Sequence, residues 1–173
     1  FQAEDAIRDS STSRGLGDVY KRQMYIMSTC KIKRTIYISR MSRPFHLAVP
    51  AGNLTDSVQF YEKVLECKLG NREEGKWIDI DFWGNELTLH KTDMKLPSER
   101  HDVDMGSVPV PHFGVHLEPQ VFDKIKVNLE KNKIDYLDKP YTRFDGKAEQ
   151  QETFFIKDPH GNILELKTLK NSH

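Results

Sequence analysis

Glu165 stands in the run Ile163-Leu164-Glu165-Leu166-Lys167, a carboxylate set among apolar residues. Two histidines open comparable runs elsewhere: His46 begins His46-Leu47-Ala48-Val49, and His112 begins His112-Phe113-Gly114-Val115. Imidazole and carboxylate groups move protons near neutral pH and coordinate divalent metals, so these residues are the natural starting point for any chemistry. Singly, none of them marks a site. A glutamate on a half-exposed antiparallel strand simply faces water, and a lone strand histidine is more often a core or edge residue than a ligand. Their joint placement has to decide.

Asp158-Pro159-His160-Gly161 combines a residue of preset φ with one tolerant of φ > 0, and predicts a tight turn between Thr153–Ile156 and Ile163–Leu166. That makes a closing hairpin. Alternation puts Glu165 on the face of Ile163 and Lys167, opposite Leu164 and Leu166. Upstream, Phe45–Val49 reads as a strand broken by Pro50-Ala51-Gly52-Asn53, and Leu54, Val58, Tyr61 and Leu65 recur at helical spacing to about Cys67. Strands are expected at Trp77–Phe82 and Glu86–Lys91, then a charged, Pro-containing linker from Thr92 to about Val108. The pattern then restarts with a strand at Pro111–Leu117, a helix marked by Val121, Ile125 and Leu129, a short strand at Asp135–Leu137 and a loop from Lys139 to Glu149.

The two halves align residue by residue. His46 and His112 each enter a strand that feeds a helix. Gly84-Asn85-Glu86-Leu87-Thr88-Leu89-His90 lines up with Gly161-Asn162-Ile163-Leu164-Glu165-Leu166-Lys167, so Thr88 holds the place of Glu165. His46 and His112 are equivalent positions about a pseudo-twofold axis, and Glu165 ends one of the units.

Composition bounds the function. The 173 residues hold 26 Lys/Arg and 26 Asp/Glu, with no basic stripe interleaved with aromatics in the second half, so a small molecule is the expected partner and nucleic acid is not. Cys30 and Cys67 form no CxxC pair, which suits a reducing compartment and argues against a thiolate zinc site. No run reaches the roughly 18 apolar residues that span a bilayer, and no secretory h-region is evident, so the expected location is the cytoplasm without membrane association. Residues 1–41 differ in composition, with eight Lys/Arg against four Asp/Glu. Arg8 to Gln23 resembles translated library-adapter sequence and is set aside from fold reasoning, with Met41 the favoured start; a transit peptide over Met24–Arg40 is the other reading. The expected domain is 42–169, with modules at about 44–92 and 109–169 and a tail at 170–173.

From about Pro44 to Leu169 these residues resemble the vicinal oxygen chelate superfamily, also called the glyoxalase, bleomycin-resistance and extradiol-dioxygenase superfamily. His46-Leu47-Ala48-Val49 with Leu54 and Phe60-Tyr61, His112-Phe113-Gly114-Val115, and Asp158 to Glu165 carry the resemblance, in the family's order. It implies an α+β fold of two βαβββ modules in a cupped eight-stranded mixed sheet. It also implies His46, His112 and Glu165 as ligands of a divalent metal, Fe, Mn, Ni or Zn, with coordination sites left for two substrate oxygens. Such a metal polarises substrate as a Lewis acid or presents O₂.

Further residues follow from the same alternation and resemblance. His90, on the face of Thr88, is a candidate fourth ligand or catalytic base, while His116 reads as a rim histidine. Gln151, Thr153 and Phe155 are expected to line the cavity, and Arg143 or Lys147 to be solvated or to clamp an anion. Trp77, Asp79 and Asp81 share a face that parity cannot place. The resemblance excludes some branches. Thr88 replaces the carboxylate ligand of glutathione-dependent glyoxalase I, Ala48 replaces a substrate-binding Thr of the glutathione-dependent fosfomycin-modifying relatives, and Phe155 replaces the Tyr of the ring-cleaving ones. Two function classes are carried: a metal-dependent lyase, isomerase or dioxygenase acting on a small oxygenated metabolite or xenobiotic, and a metal-free sequestering protein of the bleomycin-resistance type. A homodimer is expected in either case. Its linker of about 17 residues reaches either way at ~3.3 Å per residue, and the swapped pairing, with His46 on one subunit and His112 and Glu165 on the other, is favoured.

Overall fold

The computed structural model describes residues 44–103 and 106–170. The expectations for the N-terminal stretch and for the last three residues of the tail lie outside the described residues. The first module runs β1 (His46–Pro50), α1 (Leu54–Gln59), β2 (Lys68–Glu73), β3 (Trp77–Phe82) and β4 (Asn85–His90). Asn53 starts α1 by accepting the Thr55 amide on Oδ1 at 3.0 Å, and a π-helical turn, Phe60–Val64, continues it. The second module repeats this with β7 (Phe113–His116), α2 (Pro119–Lys131), β8 (Tyr136–Arg143), β9 (Gln151–Lys157) and β10 (Ile163–Leu169). Pro119 opens α2, where its missing N–H costs nothing, and Phe122, Ile125 and Leu129 make its buried stripe.

Each module is one four-stranded sheet, ordered β1-β4-β3-β2 and β7-β10-β9-β8, with the outer first strand parallel to the last. The registers agree with the internal repeat. Ala48 faces Thr88 across β1 and β4, and Gly114 faces Glu165 across β7 and β10, so the histidine two residues earlier is equivalent in both. The α+β fold of paired βαβββ modules is thus present. Its eight strands fall in two hydrogen-bonded sheets, and among the described residues β1 and β7 are each hydrogen-bonded to a strand on one side only.

Alternation sorts the sheet faces. Ile78, Ile80, Leu87 and Leu89 from the first sheet, and Phe154, Ile156, Leu164 and Leu166 from the second, join Phe60, Tyr61, Phe122, Ile125 and Leu129 in one core. That core lies on the helix side. Tyr61 donates to Asp158 Oδ2 at 3.1 Å and Asn162 Nδ2 to the Pro50 carbonyl at 2.7 Å, tying the modules together. The expected Asp-Pro-His-Gly turn forms: Asp158 Oδ1 accepts the amides of His160, Gly161 and Asn162 at 3.0, 2.8 and 2.8 Å, with Gly161 at φ 101°.

Three elements differ from the sequence reading. Strand β2 is an edge strand of mostly exposed residues with no apolar alternation to reveal it. The linker holds a hairpin, β5 (Glu99–Val103) with β6 (Gly106–Val110), almost wholly exposed on β5 and so without a periodic signal. Strand β8 extends to Arg143 through Pro140, where a short strand and loop were expected; it is an outer strand with two register shifts, where proline is tolerated. Among the described residues no helix is long and apolar enough to cross a membrane.

Candidate functional site

The face of the second sheet turned away from the helices carries the chemistry. Register places Gly114, Glu165, Phe155 and Asp138 in one row across it, His116, Lys167, Thr153 and Tyr141 in the next, and Leu169, Gln151 and Arg143 in a third. Glu165 is 5% exposed, and buried carboxylates need partners. It has three. Thr153, fully buried, donates its hydroxyl to Oε1 at 3.0 Å, while Lys167 Nζ lies 2.8 Å and His112 Nε2 3.3 Å from Oε2. The strand is also pressed close by its neighbour, since a Cβ on Gly114 would stand 1.7 Å from the Glu165 carbonyl oxygen. Only glycine admits that approach.

His112 is oriented from both sides. Its Nδ1 is 2.6 Å from the Pro109 carbonyl, an acceptor only, so Nδ1 carries the proton and donates it. That leaves Nε2 as the nitrogen turned toward Glu165 Oε2, at 3.3 Å. Phe155, fully buried, meets the ring edge to face at 5.2 Å and fixes its tilt.

The equivalent face of the first sheet is open. His46 stands there with its Nδ1 2.6 Å from Glu86 Oε1, which again leaves Nε2 as the outward nitrogen. Its side chain is 58% exposed. Trp77, Asp79 and Asp81, which parity left unplaced, share this face with His46 and Thr88, and Thr88 donates to Asp79 Oδ1 at 2.6 Å. His90 lies in the next row, between Pro50 and Trp77, exposed and on the His46 side rather than with Glu165. The chain therefore brings His112 and Glu165 together and holds His46 and His90 on the other sheet. Among the described residues no group of three His, Cys, Asp or Glu is arranged to hold a metal within the chain.

Gln151, Thr153 and Phe155 fall on the Glu165 face, and Arg143, expected in a loop, stands at the end of β8 opposite Gln151. Tyr141 joins them; burial raises its phenol above the usual range, with Arg143 pulling it down and Glu165 pushing it up. Sequence reasoning gave no role to Lys167, Pro109, Glu86 or Asp79. Parity had put Lys167 on the right face, but backbone carbonyls such as that of Pro109 leave no sequence signal. Nor did it foresee Arg100, which reaches from β5 to Asp138 at 2.9 and 3.1 Å and pins the hairpin to β8. A cavity of about 360 Å³ opens beside β1 and β7, lined by Phe45, Leu47, Val49, Leu96, Phe113 and Ile163, with His112 on its wall. It is apolar and touches neither Glu165 nor Thr153.

The sequence pattern of the Glyoxalase/Bleomycin resistance protein/Dioxygenase superfamily matches residues 43–166. A crystal structure of a glyoxalase/bleomycin resistance protein/dioxygenase from Alicyclobacillus acidocaldarius is similar at 34% identity, with 74% of this chain and 92% of that one covered and a TM-score of 0.59. The genomically encoded fosfomycin resistance protein FosX from Listeria monocytogenes shares the fold at 11% identity, 76% and 96% coverage and a TM-score of 0.56. Lactoylglutathione lyase from Agrobacterium tumefaciens does so at 17% identity, 73% and 93% coverage and a TM-score of 0.52. A comparison with curated proteins finds no match. With both modules, their registers and the matched residues in agreement, the chain belongs to the Glyoxalase/Bleomycin resistance protein/Dioxygenase superfamily.

Proposed function

We propose that the protein is a divalent-metal-dependent enzyme acting on a small oxygenated metabolite or xenobiotic, working as a homodimer in which His46 of one subunit joins His112 and Glu165 of the other. The observation that carries this is the matched state of the two histidines. Each has Nδ1 engaged, by Glu86 for His46 and by the Pro109 carbonyl for His112, and each thereby presents Nε2 as a lone pair. Metal-bound imidazoles are fixed in this way, and the donor set of two imidazoles and a carboxylate suits Fe, Mn, Ni or Zn.

A divalent ion held by these residues supplies Lewis acidity toward two vicinal substrate oxygens. The chain's own contribution is positional. Thr153 holds Glu165 in one orientation, Pro109 and Phe155 fix His112, and buried Phe155 keeps water from that wall. Lactoylglutathione lyase and FosX share the fold at 17% and 11% identity, which assigns neither reaction to this chain. The sequestering alternative draws support from one observation: Lys167 Nζ lies 2.8 Å from Glu165 Oε2 and supplies it with a counter-charge from the chain itself.

Elemental analysis of protein prepared without chelator separates the two. The enzyme reading expects about one Fe, Mn, Ni or Zn per subunit, lost in Glu165→Ala. A metal-free protein that gives no thermal shift with Mn(II) or Ni(II) overturns it.

A further inference from the structure

The two modules repeat one another, yet their faces turned away from the helices differ in cover. On the second sheet Thr153 and Phe155 of β9 have no solvent exposure, and Glu165 beside them is buried. Trp77 and Asp79, at the equivalent places on β3, are only half-buried, and the His46 side chain on that face is mostly exposed. The first module carries no counterpart of the β5–β6 hairpin among the described residues. That hairpin reaches the covered face at two places. Arg100 of β5 donates to both oxygens of Asp138, which stands opposite Phe155 in the Glu165 row, and also bonds Ser107 of β6, so one side chain holds both strands. Pro109 of β6 is buried, and its carbonyl receives the His112 Nδ1 proton at 2.6 Å. Burial is the first cause raising the Tyr141 phenol, and Arg100 acts on it together with Arg143, Glu165 and Asp138, so the guanidinium is within electrostatic reach of the next row too.

We infer that the β5–β6 hairpin is a lid over the Glu165 face, latched by Arg100 on Asp138, and that its lifting admits small molecules to His112 and Glu165. The latch is weak enough to open. Its two side chains are partly exposed, and an ion pair of that kind holds an open–closed equilibrium by about fivefold at most. Strand β5 is exposed along its length and buries no apolar face that would keep it down. Closure does more than exclude water. Because the Pro109 carbonyl rides on β6, the seated hairpin also fixes the His112 proton on Nδ1, and lifting it frees the imidazole to turn. The lid's purpose rests on the reading of His112 and Glu165 as the site; its cover of them is a property of the fold.

The test is the rate at which diethylpyrocarbonate modifies His112 in the full chain, as prepared and after chelator treatment, read by peptide mass spectrometry with His46 as the internal reference. In the wild type His46 is labelled faster than His112. Arg100→Ala and Asp138→Ala each raise His112 labelling by about two- to fivefold and leave His46 unchanged. Lys76→Gln, which removes an exposed ion pair of the first module, changes neither. Glu99 and Val110 face each other across the hairpin, so a Gly-Gly turn can replace residues 100–109. That shortened protein labels His112 faster by about fivefold or more. Circular dichroism confirms folding of each variant. His112 labelling that is unchanged in the shortened protein, or rises only in step with His46, overturns the lid. A rise there with none in Arg100→Ala or Asp138→Ala overturns the latch. Metal content is measured on the same samples. A protein that takes no metal yet shows His112 gated by the hairpin defeats the metal reading and leaves the lid standing.

Discussion

Thr153 donates its hydroxyl to Oε1 of Glu165 at 3.0 Å from a position with no solvent exposure, one row along the adjacent strand. The same hydroxyl lies 3.2 Å from the Leu166 carbonyl, so it sits between the carboxylate and its strand. Glu165 is therefore aimed by β9 as much as by β10. Thr153→Val keeps the shape and removes the donor. It is expected to lower metal affinity about 10- to 100-fold while changing unfolding free energy by only about 1–3 kcal/mol, read by competition with a chromogenic chelator and by urea titration. Unchanged metal affinity with the lost stability would reduce Thr153 to a core residue.

Gly114→Ala tests the close approach of β7 to Glu165. The added methyl would meet the Glu165 backbone at 1.7 Å, which no rotamer relieves, because the clashing atom is main chain. Destabilisation of about 1–3 kcal/mol or more is expected from overpacking, with the parallel β7–β10 pairing weakened. Hydrogen exchange should show this as faster exchange of the Gly114 to His116 amides. The reverse change at the equivalent position, Ala48→Gly, is expected to cost less than ~1 kcal/mol.

The alkaline limb of stability has two named sources. Burial raises the Cys67 thiol from 9.0 to about 12, and burial first, then Asp158, holds the Tyr61 phenol well above 10.0. Both folded values exceed the unfolded ones, so the native state keeps protons that the unfolded chain sheds. Their contribution is complete below about pH 9 and is lost as pH rises through each folded pKa, at about 1.4 kcal/mol per pH unit for each group. Cys67→Ala is expected to move the onset of the decline from about pH 9 to about pH 10, measured by urea midpoints across pH. An unmoved onset would place the titration elsewhere.

Arg100 fastens the β5–β6 hairpin to β8 through both oxygens of Asp138. The pair is partly exposed, so Arg100→Ala should change global stability by less than ~1 kcal/mol. Proteolytic nicking within residues 99–110 should nevertheless accelerate. Equal cleavage rates in wild type and variant would show that other contacts hold the hairpin.

Much of this architecture was legible because the residues that build it obey a period. The Asp158–Gly161 turn, the alternation of β10 and the Val121–Ile125–Leu129 stripe each announce an element with a buried face. Strand β2 and the β5–β6 hairpin carry little buried apolar surface and announce nothing. At the site, alternation put Gln151, Thr153 and Phe155 on one face of their strand, the resemblance made it the inner one, and register sets that face beside Glu165. The pairing of His112 with Pro109 and of Arg100 with Asp138 depends on chain paths through the linker that no local pattern encodes. His46 is the instructive case. Sequence equivalence made it the partner of His112, and register upholds the equivalence, yet within one chain it pairs with Glu86.

Whether His46 joins His112 and Glu165 across a dimer is tested most directly by complementation. His46→Ala and Glu165→Ala proteins, each expected to bind no metal at the site, are mixed under subunit exchange, and metal is counted in the isolated heterodimer. A shared site leaves one centre with all three native ligands, so about one metal ion per heterodimer is recovered. Recovery of none, with exchange verified by mass spectrometry, would contradict the account.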